Sequence, residues 1–362
     1  MADFPSHPDA IDPAWLTEAL RGAGLISDVA VTAFTWQPVG TGNVGDSVRL
    51  NLAYDRPGPW PATLVGKFPA ADPTSRATAA AFGVYAREVR FYQEVAPALA
   101  VRVPEAYVAR MAPDGVDFIL LFEDLGPARG GDQLASCTPM DARAAIRQLA
   151  AIHAPSWSNA ELLATPWLQS RPEGLARRAE LYRAALPVVR DRLAGRLEPE
   201  FMSVCEALGE AIGEAITCES RPCSLVHGDF RLDNMLFDIK GGAEEIAVLD
   251  WQTVAVGNGL TDLGYFLGTG IGDRLRRAHE AELLELYCAE MTRRGVPLTR
   301  AEIWDDYVIG AMRGIVNAVI SIANVKRSPR GDDCFLSMAR GGCALALQHD
   351  SIGKLKGRGA WS

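Results

Sequence analysis

Several features that define protein classes are scarce or absent in this sequence. The 362 residues include seven cysteines, which are scattered and form no Cys-x-x-Cys pair, so we predict neither a zinc site nor a disulfide framework. The first ten residues contain no basic and apolar signal segment. Together these absences predict reduced thiols in a cytoplasmic protein.

Positive charge is also in short supply. Lys and Arg number 36 against 45 Asp and Glu, a net charge of −9, which gives no electrostatic support for binding a nucleic acid or an anionic membrane. The most apolar late stretch, residues 314–325, is too short to span a bilayer. The basic tail, residues 354–362, is interpreted as a solvated end. We expect no nucleic-acid partner and no membrane association, and the oligomeric state stays open.

What the sequence does contain is enough apolar material for a large core. Hydrophobic residues make up 48% of the chain and charged residues 22%, as in a soluble enzyme. Residues 1–27 predict a helical extension, and residues 28–124 predict strands interrupted by one helix. Residues 125–362 predict mostly helix, with an island of strands at 224–251. This succession predicts an α+β fold of two lobes with a cleft between them.

The stretch GTGNVG, with Gly40, Gly42 and Gly45, has the spacing G-x-G-x-x-G. Such a motif binds a dinucleotide between a strand and a helix, but it covers ATP phosphates between two antiparallel strands. Behind it, apolar residues recur at every second position: Val48, Leu50, Leu52 and Tyr54. This period predicts a strand and therefore disfavours the dinucleotide site. A plain glycine-rich hairpin remains an alternative.

The segment LVHGDFRLDNMLFD, residues 225–238, is the most informative part of the chain. Asp229 and Asn234 lie five positions apart in a polar loop between two apolar runs, and Asp250 ends a later apolar run. A carboxylate can orient a substrate hydroxyl or accept its proton, and amide and carboxylate oxygens bind hard cations. Each acidic residue taken alone could instead end a turn or a strand. Their joint order favours a catalytic loop followed by a metal ligand.

A family resemblance follows from these residues. H-G-D-x-x-x-x-N followed by a strand ending in D-W-Q resembles the aminoglycoside phosphotransferase and choline kinase superfamily. Gln252 and the stretch FEDLG resemble its ecdysteroid-kinase-like branch, and HGDFRLDN is similar to phosphotransferase-like domains found with acyl-CoA dehydrogenases. The resemblance runs from the glycine motif to about Gly268. It implies a protein-kinase-like fold, with a strand-rich N-lobe at 28–124 and a helical C-lobe at 125–362.

The same resemblance implies an activity and roles for single residues. It implies a kinase that uses ATP and Mg²⁺ to phosphorylate a hydroxyl of a small molecule. Asp229 would face that hydroxyl, and Arg231 would lie near the transferring phosphate. Asn234 and Asp250 would bind Mg²⁺, while Asp262 would brace the catalytic loop.

The nucleotide would be held by the N-lobe. Gly40, Gly42 and Gly45 would cover its phosphates, and backbone groups near Glu123 and Leu125 would face the adenine. Two other classes remain open at this point. The chain could be a catalytically silent nucleotide-binding protein on the same fold, or a nicotinamide-dependent oxidoreductase, although the strand behind the glycines argues against the latter.

Lys67 ends the apolar run ATLVGK, where the family places its phosphate-binding lysine. A single helix is predicted over residues 79–95, and on it Glu88 shares a face with Tyr85. An inward carboxylate needs a partner, and the resemblance supplies Lys67. An ordinary surface pair of Glu88 with Arg87 or Arg90 is the alternative.

The acceptor is the least determined part of the prediction. Cations at Lys354, Lys356 and Arg358 disfavour a polycationic aminoglycoside, so we expect an uncharged, partly lipophilic alcohol, with an aminoglycoside-type or choline-type acceptor as the alternative. Four aromatic residues are candidates for lining its pocket, although core packing is the commoner role: Trp157, Tyr265, Trp304 and Tyr307.

Overall fold

The N-terminal part of the chain forms one antiparallel sheet with helices on it. The computed structural model describes residues 4–40, 45–219, 221, 223–325 and 327–358. Five strands pair in the order β1-β2-β3-β5-β4; they are β1 (Val31–Pro38), β2 (Gly45–Tyr54), β3 (Thr63–Pro69), β4 (Ala106–Met111) and β5 (Phe118–Glu123). The helices of this part are α1 (Pro13–Gly22), α2 (Pro73–Ala81) and α3 (Val84–Arg90).

The glycine motif joins β1 to β2 as an antiparallel hairpin. Pro38 pairs with Val48 at its closed end, and Gly40 has a left-handed φ of 78°, which suits a residue without Cβ. Gly42 lies outside the described residues. A strand, β2, begins at Gly45 where a dinucleotide-binding site would need the start of a helix, and this disfavours such a site.

Helix α1 packs against one face of this sheet. The Asp12 side chain caps it by accepting from the Trp15 N–H at 2.7 Å, as its sequence predicts. Leu16 and Leu20 are buried in the same apolar cluster as Leu50 of β2. The predicted N-terminal extension therefore shares the core of the N-lobe.

The prediction of one helix over residues 79–95 is wrong. Helix α2 ends at Ala81, and α3 begins after Gly83, whose φ of 66° is left-handed. A left-handed residue cannot continue a right-handed helix, so Gly83 separates the two. A π-helical turn, Phe91–Val95, then extends α3. The prediction that Tyr85 and Glu88 share an inward face is nevertheless confirmed, since both side chains are buried.

The C-terminal part is helical around two small sheets. One sheet has the order β6-β8-β9 and the other pairs β7 with β10; the strands are β6 (Arg129–Gly130), β7 (Ser224–Val226), β8 (Met235–Asp238), β9 (Glu244–Val248) and β10 (Ala255–Gly257). The helices are α4 (Pro139–Ser156), α5 (Ala160–Leu163), α6 (Pro172–Arg192), α7 (Pro199–Glu210), α8 (Ile212–Glu219), α9 (Ile239–Gly242, a tight turn), α10 (Leu260–Tyr265), α11 (Asp273–Arg293), α12 (Arg300–Gly310), α13 (Met312–Asn324), α14 (Pro329–Gln348) and α15 (Ser351–Gly357).

Two late segments are incorporated into the core of the C-lobe. Arg300–Asn324 has the length and hydropathy of a membrane span, but 72% of that window is buried inside the protein, as in a core helix pair. Helix α15 buries Leu355, and Arg358 pairs with Asp306. The interpretation of the basic tail as a solvated end is therefore wrong for the described residues up to 358. All seven cysteines are free thiols.

We expect Leu20→Ala to lower the free energy of unfolding by about 2–5 kcal/mol, because it removes buried methyl groups and leaves a cavity under the sheet. Urea unfolding of the whole chain measures this change. Glu18→Ala on the exposed face of the same helix is the control, with an expected change within about 0.5 kcal/mol. Equal losses for the two variants would show that α1 does not pack on the sheet.

Candidate active site

The loop that carries Asp229 is held by a buried carboxylate from α10. Asp262 accepts from the backbone N–H groups of His227 and Gly228, at 2.5 and 3.0 Å. The buried His227 ring bonds the Leu249 carbonyl through Nε2 at 2.9 Å. Burial raises the pKa of Asp262, but the neighbouring His153 ring, whose Nε2 lies 3.7 Å from Oδ2, and the charge of Arg313 lower it below its usual range, so the carboxylate stays ionised. The predicted bracing role of Asp262 is confirmed, and His227 adds a second hydrogen bond that holds the loop.

Both oxygens of Asp229 are occupied by donors. Tyr265 Oη donates to Oδ1 at 2.7 Å, while Asn234 Nδ2 and Arg231 Nε donate to Oδ2 at 2.9 and 3.1 Å. Burial raises the pKa of Asp229, but the Arg231 charge and the Tyr265 hydrogen bond lower it by a larger amount. The net pKa therefore lies below the usual value. An ionised carboxylate in a fixed orientation is suited to direct a hydroxyl.

Asn234 and Asp250 meet at the start of β8 and the end of β9. The Leu249 N–H donates to the Asn234 carbonyl at 2.9 Å, which fixes their separation. Asn234 uses its Nδ2 on Asp229, which leaves Oδ1 as the atom that could bind a cation. Asp250 has a left-handed φ of 63° and a side chain 41% exposed. One amide and one carboxylate oxygen fit Mg²⁺, which commonly takes few protein ligands and completes its shell with phosphate and water.

Lys67 lies between two carboxylates. Its Nζ is 2.7 Å from Glu88 Oε1 and 3.5 Å from Asp250 Oδ1. Burial lowers the pKa of Lys67, but Asp250 and Glu88 raise it more, so the ammonium stays charged. The predicted contact between Lys67 and Glu88 is confirmed. The alternative surface pair is wrong, since Arg87 donates to the Val254 carbonyl and Arg90 pairs with Glu94.

The D-W-Q triplet contacts the N-lobe at three points, one on β3 and two on α3 and its π-helical extension. Asp250 approaches Lys67, the Trp251 ring stacks on Phe91 at 3.9 Å and 6°, and Gln252 Nε2 donates to Glu88 Oε2 at 3.2 Å. The sequence supplied the triplet only as a family pattern. The contacts of Trp251 and Gln252 were not predicted, because they depend on how the two lobes pack.

The glycine hairpin reaches the same place. A Cβ on Gly45 would lie 3.5 Å from Lys67 Cε and 3.0 Å from the Phe68 carbonyl, so this position needs a residue without a side chain. At the other end of the sheet, the Glu123 carboxylate pairs with Arg102 and Lys240. Some backbone groups of this segment already have hydrogen-bond partners.

Two backbone groups, one of Glu123 and one of Leu125, are already hydrogen-bonded within the protein. The Glu123 N–H donates to the Glu105 carbonyl at 3.0 Å, and the Leu125 carbonyl accepts from the Lys240 N–H at 2.8 Å. The prediction that this backbone faces an adenine therefore depends on the Glu123 carbonyl and the Leu125 N–H. Neither group is assigned a ligand by any contact in the structure.

Arg231 is engaged by two carboxylates of its own loop. Its Nε donates to Asp229 and its Nη1 donates to Asp233 at 2.8 Å. Arg330 of α14 bonds the other oxygen of Asp233 at 2.9 Å. Arg231 therefore lies beside the Asp229 carboxylate, as a residue near the transferring phosphate must.

The four candidate pocket aromatics separate into two groups. Only Tyr265 among them contacts Asp229 in the described part of the chain. Tyr307 is buried and donates to Glu280, and Trp304 packs on it at 5.8 Å. Trp157 packs against the central core. The commoner role of core packing therefore accounts for three of the four.

One charged cluster beside the loop was missed by sequence reasoning. Arg178 of α6, Glu219 of α8 and Arg313 of α13 meet next to Gly228. They come from three helices far apart in the chain, so no local spacing could have grouped them.

Comparison with solved structures identifies the fold. An aminoglycoside 2'-phosphotransferase-IIIa in complex with GDP superposes with a TM-score of 0.56 at 15% identity, over 91% of this chain and 98% of that one. A choline kinase from Cryptosporidium parvum gives 0.55 at 12% identity, over 95% and 96%. At these identities the likeness establishes the protein-kinase-like fold that the sequence predicted.

Sequence comparison identifies the family. Human acyl-CoA dehydrogenase family member 11 is 51% identical over 43 residues, which are 12% of this chain and only 5% of that protein. The ecdysteroid kinase-like family matches residues 44–295, from the glycine hairpin through the catalytic loop to the end of α11. This match covers well over half of the sequence, and the chain therefore belongs to the ecdysteroid kinase-like family.

Proposed function

We propose that this small-molecule kinase transfers the γ-phosphate of ATP, with Mg²⁺, to a hydroxyl of its acceptor. The observation that carries the proposal is the convergence of Lys67, Asp250, Asn234 and Asp229. Lys67 contacts Asp250 at 3.5 Å, Asn234 contacts Asp229 at 2.9 Å, and a backbone hydrogen bond joins Leu249 to Asn234. A cation, two carboxylates and an amide then lie where the lobes meet.

Each of these residues would have a separate role in phosphoryl transfer. Lys67, kept charged and oriented by Glu88, would bind the nucleotide phosphates under the glycine hairpin. Asn234 and Asp250 would hold Mg²⁺, which when bound would neutralise part of the phosphate charge. Arg231 would offset charge on the transferring group.

Asp229 would orient the acceptor hydroxyl for in-line attack and take its proton. Its pKa is low because Arg231 and Tyr265 favour the carboxylate, so orientation contributes more than base strength. Tyr265 would keep the carboxylate in one rotamer through Oδ1. Such a catalyst depends on placement, as phosphoryl transfer in general does.

The acceptor prediction loses one of its supports. Lys354 pairs with Asp305, Lys356 lies 3.7 Å from Glu210, and Arg358 pairs with Asp306. These cations are compensated on the surface of the C-lobe, so they give no argument against a polycationic acceptor. A partly lipophilic alcohol, cytoplasmic location and the absence of nucleic-acid and membrane partners stay predictions.

Mg²⁺ with ATP at about a hundred times its dissociation constant is expected to stabilise the folded chain by roughly 2.7 kcal/mol, because ligand binds only the native state. NADH at the same concentration is expected to give little or no change. Thermal unfolding with each ligand measures this. A larger shift with NADH would reject the kinase in favour of an oxidoreductase, and a shift with ATP but no turnover on any alcohol would favour a silent nucleotide-binding protein.

Lys67→Met and Glu88→Gln are each expected to reduce turnover, since the two side chains form one ion pair at 2.7 Å. The double variant is expected to lose less than the sum of the single losses, with a coupling of about 0.5–3 kcal/mol. Turnover of all four proteins completes the cycle. Strictly additive losses would show that the pair does not act as a unit in catalysis.

Asp229→Asn is expected to reduce turnover by about 10²–10⁴ while leaving Mg-ATP affinity nearly unchanged, because it removes the proton acceptor and keeps the shape. Asp250→Asn is expected to weaken Mg-ATP binding together with turnover. Calorimetry and rate measurements on both variants separate the two roles.

Asp238→Asn serves as the control for this pair. Asp238 ends β8, the strand that begins after Asn234. Its side chain is 63% exposed and pairs with Arg129, so the substitution is expected to change neither Mg-ATP affinity nor turnover. If Asp229→Asn abolished nucleotide binding while Asp250→Asn preserved it, the assigned roles would be reversed.

A further inference from the structure

Two arginines beside the catalytic loop share one carboxylate oxygen. Arg178 Nη1 lies 2.5 Å from Glu219 Oε2, and Arg313 Nη1 lies 3.2 Å from the same oxygen. The three residues belong to α6, α8 and α13. Two guanidinium groups on one carboxylate leave an excess of positive charge and several unassigned N–H donors, since each guanidinium has five.

This cluster is linked to Asp229 indirectly, through two sets of neighbouring residues. Arg313 Nε donates to the carbonyl of Gly228, the residue before Asp229, at 3.2 Å. Arg178 Nη2 donates to Asn317 Oδ1 at 3.4 Å. Asn317 lies near the Tyr265 side chain, which itself donates to Asp229. The cluster is therefore adjacent to the carboxylate that would face the acceptor hydroxyl.

The cations of the cluster reach the surface, whereas its anion does not. The side chains of Arg178 and Arg313 are 22% and 18% exposed, against 3% for Glu219. Burial lowers the pKa of Arg178, and the like charge of Arg313 lowers it further against the opposing effect of Glu219. The two guanidinium side chains are therefore the partly exposed members of the cluster, and Glu219 is its buried member.

We propose that Arg178 and Arg313 bind an anionic group of the hydroxyl acceptor, a carboxylate or a phosphate ester. Planar guanidinium groups match such oxyanions in geometry and charge, and the same groups repel a cationic acceptor. This inference rests on the proposed function and replaces an uncharged or cationic acceptor by an acidic one. The other source of an oxyanion at this position is the transferring phosphate of the nucleotide, which the experiment below distinguishes.

The probes are ω-hydroxy fatty acids of short, medium and long chain, each with the diol and the amino alcohol of the same length. Their binding to the full chain is measured by calorimetry, with Mg²⁺ and a non-hydrolysable ATP analogue at saturation. At the chain length that fits best, the acid is expected to bind about tenfold or more tightly than the diol, because a charge-assisted hydrogen bond is gained. The amino alcohol is expected to bind most weakly. Absence of a preference for the acid at every chain length overturns the proposal.

Variants assign the preference to the cluster. Arg313→Met and Arg178→Met are expected to abolish the preference for the acid, and Glu219→Gln, which keeps the shape and removes the counter-charge, is expected to strengthen it. Arg177→Met is the matched control, because Arg177 is the neighbouring arginine on α6 and is 66% exposed; it is expected to leave the preference unchanged. An equal effect of Arg177→Met would overturn the assignment, and so would an unchanged preference in Arg313→Met that folds normally.

Affinity for the Mg²⁺ complex of the ATP analogue, measured alone, separates the remaining outcomes. If Arg313→Met weakens this affinity and does not alter acid binding, the cluster serves the nucleotide phosphate and the proposal is wrong. If the wild-type chain does not bind the analogue at all, the proposed function itself fails. If the analogue binds but the acids are not preferred, only the inference about the acceptor fails.

Discussion

The site depends on the placement of one lysine between two carboxylates. Lys67 enters from the N-lobe sheet, Glu88 from the helix on that sheet, and Asp250 from the C-lobe. Glu88 is almost fully buried, and a buried carboxylate without its partner would be strongly unfavourable, by roughly 3–5 kcal/mol. This cost keeps the ammonium where a nucleotide phosphate would lie. The helix, the sheet and the loop after β9 must all hold their relative positions for the contact to form.

A second buried carboxylate, that of Asp262, holds the loop that carries Asp229. Asp262 fixes the backbone of His227 and Gly228, and the next residue, Asp229, is then oriented by Tyr265 and Asn234. Tyr265 reaches the carboxylate from α10 and Asn234 from the loop itself, so both of its oxygens are held and it has little freedom to rotate. Catalysis by placement requires this rigidity, because a displaced group loses its alignment with the reacting atoms. The arginine cluster, which we propose to bind the acceptor, adjoins this loop at Gly228.

Sequence reasoning succeeded where the chemistry lies in short, contiguous motifs and failed where it depends on packing. The period-two run behind Gly45 predicted the β2 strand and thereby the hairpin. The inward face that carries Glu88 was also predicted, although the helix is interrupted at Gly83, since the left-handed φ of a single glycine is not visible in apolar periodicity. The tail cations were misjudged because their partners, such as Asp305, lie about fifty positions away.

The sequence alone determined the order of the functional groups and the fold class that holds them. A catalytic loop is short because its carboxylate and amide must reach one substrate, so Asp229 and Asn234 are recognisable from their spacing. Only the tertiary structure decided which side chains surround Asp229. Tyr265, Arg178, Glu219 and Arg313 lie on four separate helices, and their distances depend on how the helices pack around a common core. Packing is a property of the whole chain, whereas a motif depends on a few neighbouring residues, and the charge that faces the acceptor is therefore set by the fold.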